Sequence, residues 1–338
     1  MIQASSGNGI AGSHHQVEWG LDALELLHNY STSTCYTLAN QPAMQSFMKL
    51  TVPRIGFRYN IILHLIMSIS AMHLAHPERQ ENERLRYISQ AEHHYSKALA
   101  QATAQLSQIN EDNCHALYLF ATLSSWHHLA CGPRQGDFLL FHNGDGGHKV
   151  AEWLVYFRSL KPILEAQSDA LRNGILAPIF QVGIQIYHET TSQTYENERI
   201  AELRKDVTMV ANQRGTAVED ADQADNTLST LLTAVDSFSA SFSVRYDPVT
   251  GMKREHNFHG VGLWLYYLSD EFILLLQQRQ PGALAIMAYF CVLLNDFRPI
   301  WMMEGWVDHL LSGIYRMMPE GCRGLLNWPI EEIGWMPP

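Results

Sequence analysis

The stretch PGALAIMAYFCVLLNDFRPIWMMEGWVDHLLSGIYRMMPEGCRGLLNWPIEEIGW, residues 281–335, decides the fold class, and it holds four of the eight tryptophans. Leu284, Met287, Cys291 and Leu294 recur at helical spacing, and Ile286, Tyr289, Phe290 and Leu293 cover the remaining faces, so little polar surface is left. A helix apolar on nearly all sides belongs inside a protein. Arg298 and Pro299 interrupt the pattern, and a second helix is predicted through Trp301, Trp306, Leu310, Ile314 and Met317 until Pro319, Glu320 and Gly321 stop it. The segment reads as a buried helical hairpin.

Upstream of it, helical spacing dominates. Residues 1–17 form a Gly/Ser-rich tail expected to lack fixed structure, and the helical body is expected to run from 18 to 338. Leu24, Leu27 and His28 space a helix over Trp19–Tyr30, followed by the hydroxyl cluster Ser31, Thr32, Ser33 and Thr34. Tyr59, Ile62, Ile66, Ile69 and His73 mark an amphipathic helix that ends at His76 and Pro77. A longer helix is predicted from about Asn82 to Gln108, with Tyr87, Ala91, Tyr95, Ala98, Ala102 and Leu106 on one side. Another runs from Glu111 to Cys131. Gly132–Gly147 is read as a glycine-rich loop, Val150–Ala166 as a helix, and 190–226 as a polar surface excursion or linker. Helices resume over Thr227–Phe242 and His259–Gln278. Strand-like alternation is nearly absent, so the expectation is an all-α fold: one large bundle of about ten or more helices with the hairpin buried in it.

The 338 residues, 46% apolar and 17% charged, suffice for a large core. Thirty-four acidic residues against twenty-three basic ones give a formal charge of -11, with no basic run. Such a field repels phosphate, and direct nucleic-acid binding by this chain is not expected. Five dispersed cysteines without C-x-x-C spacing fit a reduced compartment, and neither a signal peptide nor a membrane span is read from the sequence.

Signatures of chemistry are few. His73 and His76, three apart near a helix end, lack further ligands for a metal. The pairs His93–His94 and His127–His128 each point to two helix faces, one packed and one solvated. Glu219, Asp220, Asp222 and Asp225 lie in a polar stretch and read as solvated rather than magnesium-binding. Gly144, Gly146 and Gly147 match neither a P-loop nor a dinucleotide fingerprint and read as a turn. There is no G-x-S-x-G elbow, and no cofactor or metal is implied. What remains is a set of aromatic and methionine side chains able to line an apolar pocket: Met72, His73, Trp126, Phe290, Trp301, Met302 and Trp306.

Five blocks in order, LELLHNYSTSTCYTL (24–38), YNIILHLIMSISAMHLAH (59–76), NCHALYLFATLSS (113–125), EWLVYFRSLKPILE (152–165) and the segments of 282–334, resemble the C-terminal regulatory domain of fungal zinc-cluster transcription factors. Within that class the chain is most similar to the sterol uptake control proteins. The resemblance implies an all-α domain that binds a sterol in an apolar pocket and controls nuclear entry. It departs from the family at the start, with no C-x2-C-x6-C array and no basic linker before residue 21. The chain is then either the regulatory part of a longer protein or a product without the DNA-reading module.

Two functions follow. One is a ligand-sensing regulatory domain for a hydrophobic small molecule, sterol or terpenoid in kind, cytoplasmic and nuclear, with a second copy or a partner transcription factor as protein partner. The other is an enzyme that uses the same pocket to cyclise a polyketide or terpenoid, with His73, His127 and His309 as proton-transfer groups.

Overall fold

The computed structural model describes residues 19–39, 41–76, 80–105, 108–134, 136–138, 140–144, 147–181, 197–215, 221–246, 252–253 and 258–338. The fold is all-α. Its longer helices are α1 (Leu21–Asn29), α2 (Asn60–Leu74), α3 (Glu81–Gln105), α4 (Cys114–Ala130), α5 (Glu198–Gly215), α6 (Ala221–Ser243), α7 (Phe258–Tyr267), α8 (Pro281–Asn295) and α9 (Trp306–Met317). Shorter turns join them.

In the first half, α2 packs between α3 and α4 and also receives α1 and the Val52–Arg58 turn. Residues Ile61 to Ala71 of α2 are all buried, as expected of a helix with neighbours on every side. Its partner α3 buries Tyr87, Ala91, His94, Ala98 and Ala102, and these alanines let the two backbones approach closely. The second half is built on α8. Pro281 opens that helix at its first position, where a missing N–H costs nothing, and every residue from Pro281 to Leu294 is buried beneath α5, α6, α9 and the last helical turn, Asn327–Ile333. Each large apolar side chain so buried contributes roughly 1.5–3 kcal/mol. A Cβ on Gly282 would stand 2.9 Å from Leu231 Cδ1, so a larger residue there would make the Leu231 side chain move at the close crossing of α6 and α8.

The final helix is fastened by charge as well as by grease. Arg245, with 4% of its side chain exposed, donates from Nε to Asp296 Oδ2 at 2.7 Å and from Nη2 to Glu332 Oε1 at 3.2 Å. Trp328 of the same segment packs its ring 4.7 Å from that of Tyr289.

Several expectations need correction. The second hairpin helix does not begin at Trp301. Trp301–Met303 is a 3-10 turn, and Gly305, at φ 77°, breaks the chain before α9 starts at Trp306. The glycine loop carries two short antiparallel strands, β1 (Phe141–Gly144) and β2 (Gly147–Val150), in the register Phe141 to Val150. The helix expected over 150–166 is broken into Glu152–Arg158 and Leu160–Ala166, and that expected over 259–278 stops at Tyr267. It restarts at Asp270, where Ser269 Oγ accepts from Phe272 N. The stretch read as a linker, 190–226, contains α5, whose Ile200, Leu203, Val207 and Val210 form a buried stripe within a polar sequence, and the start of α6. Of its acidic run, Asp222 and Asp225 lie on α6, and Glu219 and Asp220 fall outside the described residues. The tail read for residues 1–17 also falls outside them.

Candidate ligand site at the His73–Trp301 corner

Polar groups inside the protein are concentrated in its first half. Of the ten buried polar or charged residues among those described, eight precede residue 128: Thr34, His64, Ser68, Ser70, His94, Ser124, Ser125 and His127. Their hydrogen bonds decide what each histidine can do.

His73 stands on the last turn of α2, three residues after Ser70 and so on the same face. Opposite it, α1 runs into a π-helical turn, Tyr30–Thr34, and such turns recur at functional sites. The turn brings Thr34 Oγ1 to 2.9 Å from His73 Nδ1. Asn29 Nδ2 donates both to Thr34 Oγ1, at 3.0 Å, and to Ser70 Oγ, at 2.9 Å. Trp301 arrives from the C-terminal half with its ring centroid 4.9 Å from that of His73, and its Nε1–H donates to Thr37 Oγ1 at 3.0 Å. His76 Nε2 lies 3.0 Å from Glu304 Oε2, although the ring nitrogen is not aligned for a hydrogen bond. Burial, aided by the neighbouring His76, lowers the pKa of His73 and favours its neutral ring.

His127 is differently placed. Ser68 Oγ donates to Ala91 O at 2.7 Å, so its oxygen must accept the 2.9 Å bond from His127 Nδ1–H. The remaining lone pair, on Nε2, faces Cys131 Sγ at 3.6 Å, and Tyr95 stacks on the ring at 4.1 Å. Burial first, then His128 and Arg134, pushes His127 down to about 3, and burial pushes the Cys131 thiol up to about 11. The pair is a neutral thiol beside a neutral imidazole, without the thiolate a nucleophile needs. The third candidate, His309, donates Nε2–H to Asp137 O at 2.6 Å and fastens α9 to the loop after α4. The three histidines are thus spread over separate hydrogen-bond systems.

The seven pocket candidates divide in the same way. Met72, His73 and Trp301 are half-buried at the corner, and the Trp301–Met303 turn packs against α4, which carries half-buried Trp126. Met302 and Trp306 are sealed beside them, Trp306 donating Nε1–H to Leu129 O at 2.9 Å. Phe290 lies elsewhere, at 4.3 Å from the Trp264 ring in a cluster with Phe238 and Phe272. With 0% exposure, neither Phe290 nor Trp306 keeps open surface for a ligand. The adjacent pairs behave as expected: His94 and His127 are buried, while His93 and His128 reach solvent.

Asn29, Thr34, Thr37, Ser70 and Glu304 were not among the sequence candidates. The signals that point to them are modest: hydroxyls in an otherwise apolar α2, three residues from a histidine, and the cluster of hydroxyls after α1. Among the described residues, no group of three or more His, Cys, Asp or Glu is arranged to hold a metal ion, and no helix is long and apolar enough to cross a membrane.

Fold and corner together define an all-α domain with a half-open, polar-headed aromatic corner. Over an alignment of 353 residues the chain is 24% identical to a Zn(2)-C6 fungal-type transcription factor of Gibberella zeae, covering 95% of this chain and 64% of that protein. The chain therefore spans less than two thirds of that relative's length. The similarity supports a relationship with fungal transcription factors and does not single out the sterol uptake control subgroup. No family model matches the chain.

Proposed function

We propose that the chain is a regulator-type sensing domain that binds a hydrophobic small molecule, of sterol or terpenoid size, at the His73–Trp301 corner. The observation that carries this reading is the meeting of three distant segments there: the π turn after α1, the end of α2, and the turn that leads into α9. A ligand bridging them favours one arrangement of the two halves over another, which is what a sensor requires. The relationship with a transcription factor supports nuclear work through a second copy or a partner transcription factor. A catalytic use of the histidines has less support, because the lone pairs on His73 Nδ1 and His127 Nε2 already face Thr34 and Cys131.

The test is native mass spectrometry and thermal unfolding of the full chain with a panel of sterols and terpenoids. A ligand at a hundred times its Kd adds about 2.7 kcal/mol of stability, enough to raise Tm by several degrees. The Trp301→Ala variant should show a clearly smaller gain. No bound mass and no Tm shift across the panel would end the sensing reading.

A further inference from the structure

The protons of the His73 relay can be placed one by one. Ser70 Oγ lies 2.8 Å from Leu26 O, a carbonyl that only accepts, so the Ser70 hydroxyl proton is committed there. The Asn29 atom 2.9 Å from Ser70 Oγ must then be the amide nitrogen, which fixes the orientation of that side chain. Its second N–H goes to Thr34 Oγ1. Thr34, fully buried, keeps one proton, and its one other side-chain neighbour is His73 Nδ1. Thr34 is therefore the donor and Nδ1 the acceptor. A neutral His73 then carries its proton on Nε2, which has no hydrogen-bond partner among the described residues and is not among their buried unpaired atoms. Adding a second proton at Nδ1 would set it against the Thr34 hydroxyl proton.

Resting on the reading of this corner as a ligand site, we infer that it selects an uncharged ligand with a hydrogen-bond-accepting oxygen, a carbonyl, ether or hydroxyl, captured by His73 Nε2–H. Met72, Trp126 and Trp301 offer apolar surface for the rest of such a molecule. An anionic head finds a neutral donor here instead of a cation, with the exposed Glu304 carboxylate close by to repel it. A cationic head finds no open lone pair on His73.

Two measurements on the full chain test this. Histidine nitrogen NMR at pH 7.5 should show His73 protonated on Nε2 and bare on Nδ1, and Thr34→Val should relax that preference. Binding of Nile red, uncharged and carrying a carbonyl, should weaken about two- to tenfold in His73→Phe, the loss of one neutral hydrogen bond, and be largely kept in His73→Gln. Binding of the anionic dye anilinonaphthalene sulfonate should be indifferent to both variants. A bare Nε2 or a protonated ring overturns the inference, as does Nile red binding that ignores His73→Phe. Failure of Nile red to bind would overturn the ligand-site reading and this inference with it; Nile red binding that is independent of His73 overturns this inference alone.

Discussion

The two halves of the molecule bury their interiors in different ways. Around α8 the interior is a sealed aromatic and aliphatic mass, with Phe290, Trp264 and Phe272 ring against ring and the charged Arg245 held by two carboxylates. Between α2, α3 and α4 the interior carries imidazoles and hydroxyls, most of them tied to a neighbour: His64 Nδ1 meets His94 Nδ1 at 2.9 Å, and Ser68 links His127 to α3, while Ser124 Oγ is buried without a partner among the described residues. The difference teaches where function sits. Apolar packing is non-directional and fills space, whereas hydrogen-bonded groups have fixed donors and acceptors and can present one of them outward. At its edge the polar half does this with His73.

The contrast can be broken by mutation. Phe290→Ala should cost about 3–5 kcal/mol, since the aromatic cluster has no room to collapse; denaturant unfolding measures it. Ser68→Ala orphans His127 Nδ1–H within a buried network, at a cost of about 1–3 kcal/mol by the same measurement. If Ser68→Ala proved the costlier of the two, the polar half would be the stronger scaffold and the contrast would be reversed.

Acid should sharpen the same contrast. His127 is held neutral down to about 3, against an ordinary value of 6.5, and burial lowers His64 and His94 as well. In the unfolded chain these rings take up protons as pH falls through 6.5, and in the folded chain they do not. Stability is therefore fully present above that value and is lost on acidification, by about 1.4 kcal/mol per pH unit for each proton concerned. Tm measured from pH 7 to pH 4.5 should fall, and His127→Phe should flatten the slope. A Tm that held level across this window would show that the buried imidazoles take up protons in the folded chain as readily as in the unfolded one. The smallest effect belongs to the partly exposed pair of His76 and Glu304, which lacks an aligned hydrogen bond: Glu304→Gln should change stability by less than about 0.5 kcal/mol.

The all-α class and the burial of α8 were legible because a helix apolar on every face leaves no alternative. Trp301 misled, because it continues the helical spacing of α9, yet Gly305 adopts a left-handed conformation and sets the two apart. Helix α5 was missed because its apolar residues are spaced one per turn in a polar background, and composition hid the stripe that Ile200, Leu203 and Val207 form. At the corner, His73 and Trp301 could be picked as types of residue that line pockets. Their pairing across more than two hundred positions could not be read, and neither could the π turn that delivers Thr34, since no local pattern in Tyr30–Thr34 distinguishes it from an ordinary helix. Phe290 shares their chemistry and stands in the other half.

The most direct measurement is the dissociation constant for Nile red, determined in parallel on Trp301→Ala and Phe290→Ala at a temperature where both remain folded. Binding at the corner predicts that Trp301→Ala weakens the dye at least about fivefold, the scale of one lost aromatic contact, while Phe290→Ala leaves it within about twofold. Binding abolished by Phe290→Ala and untouched by Trp301→Ala would place the ligand in the sealed half and contradict the account.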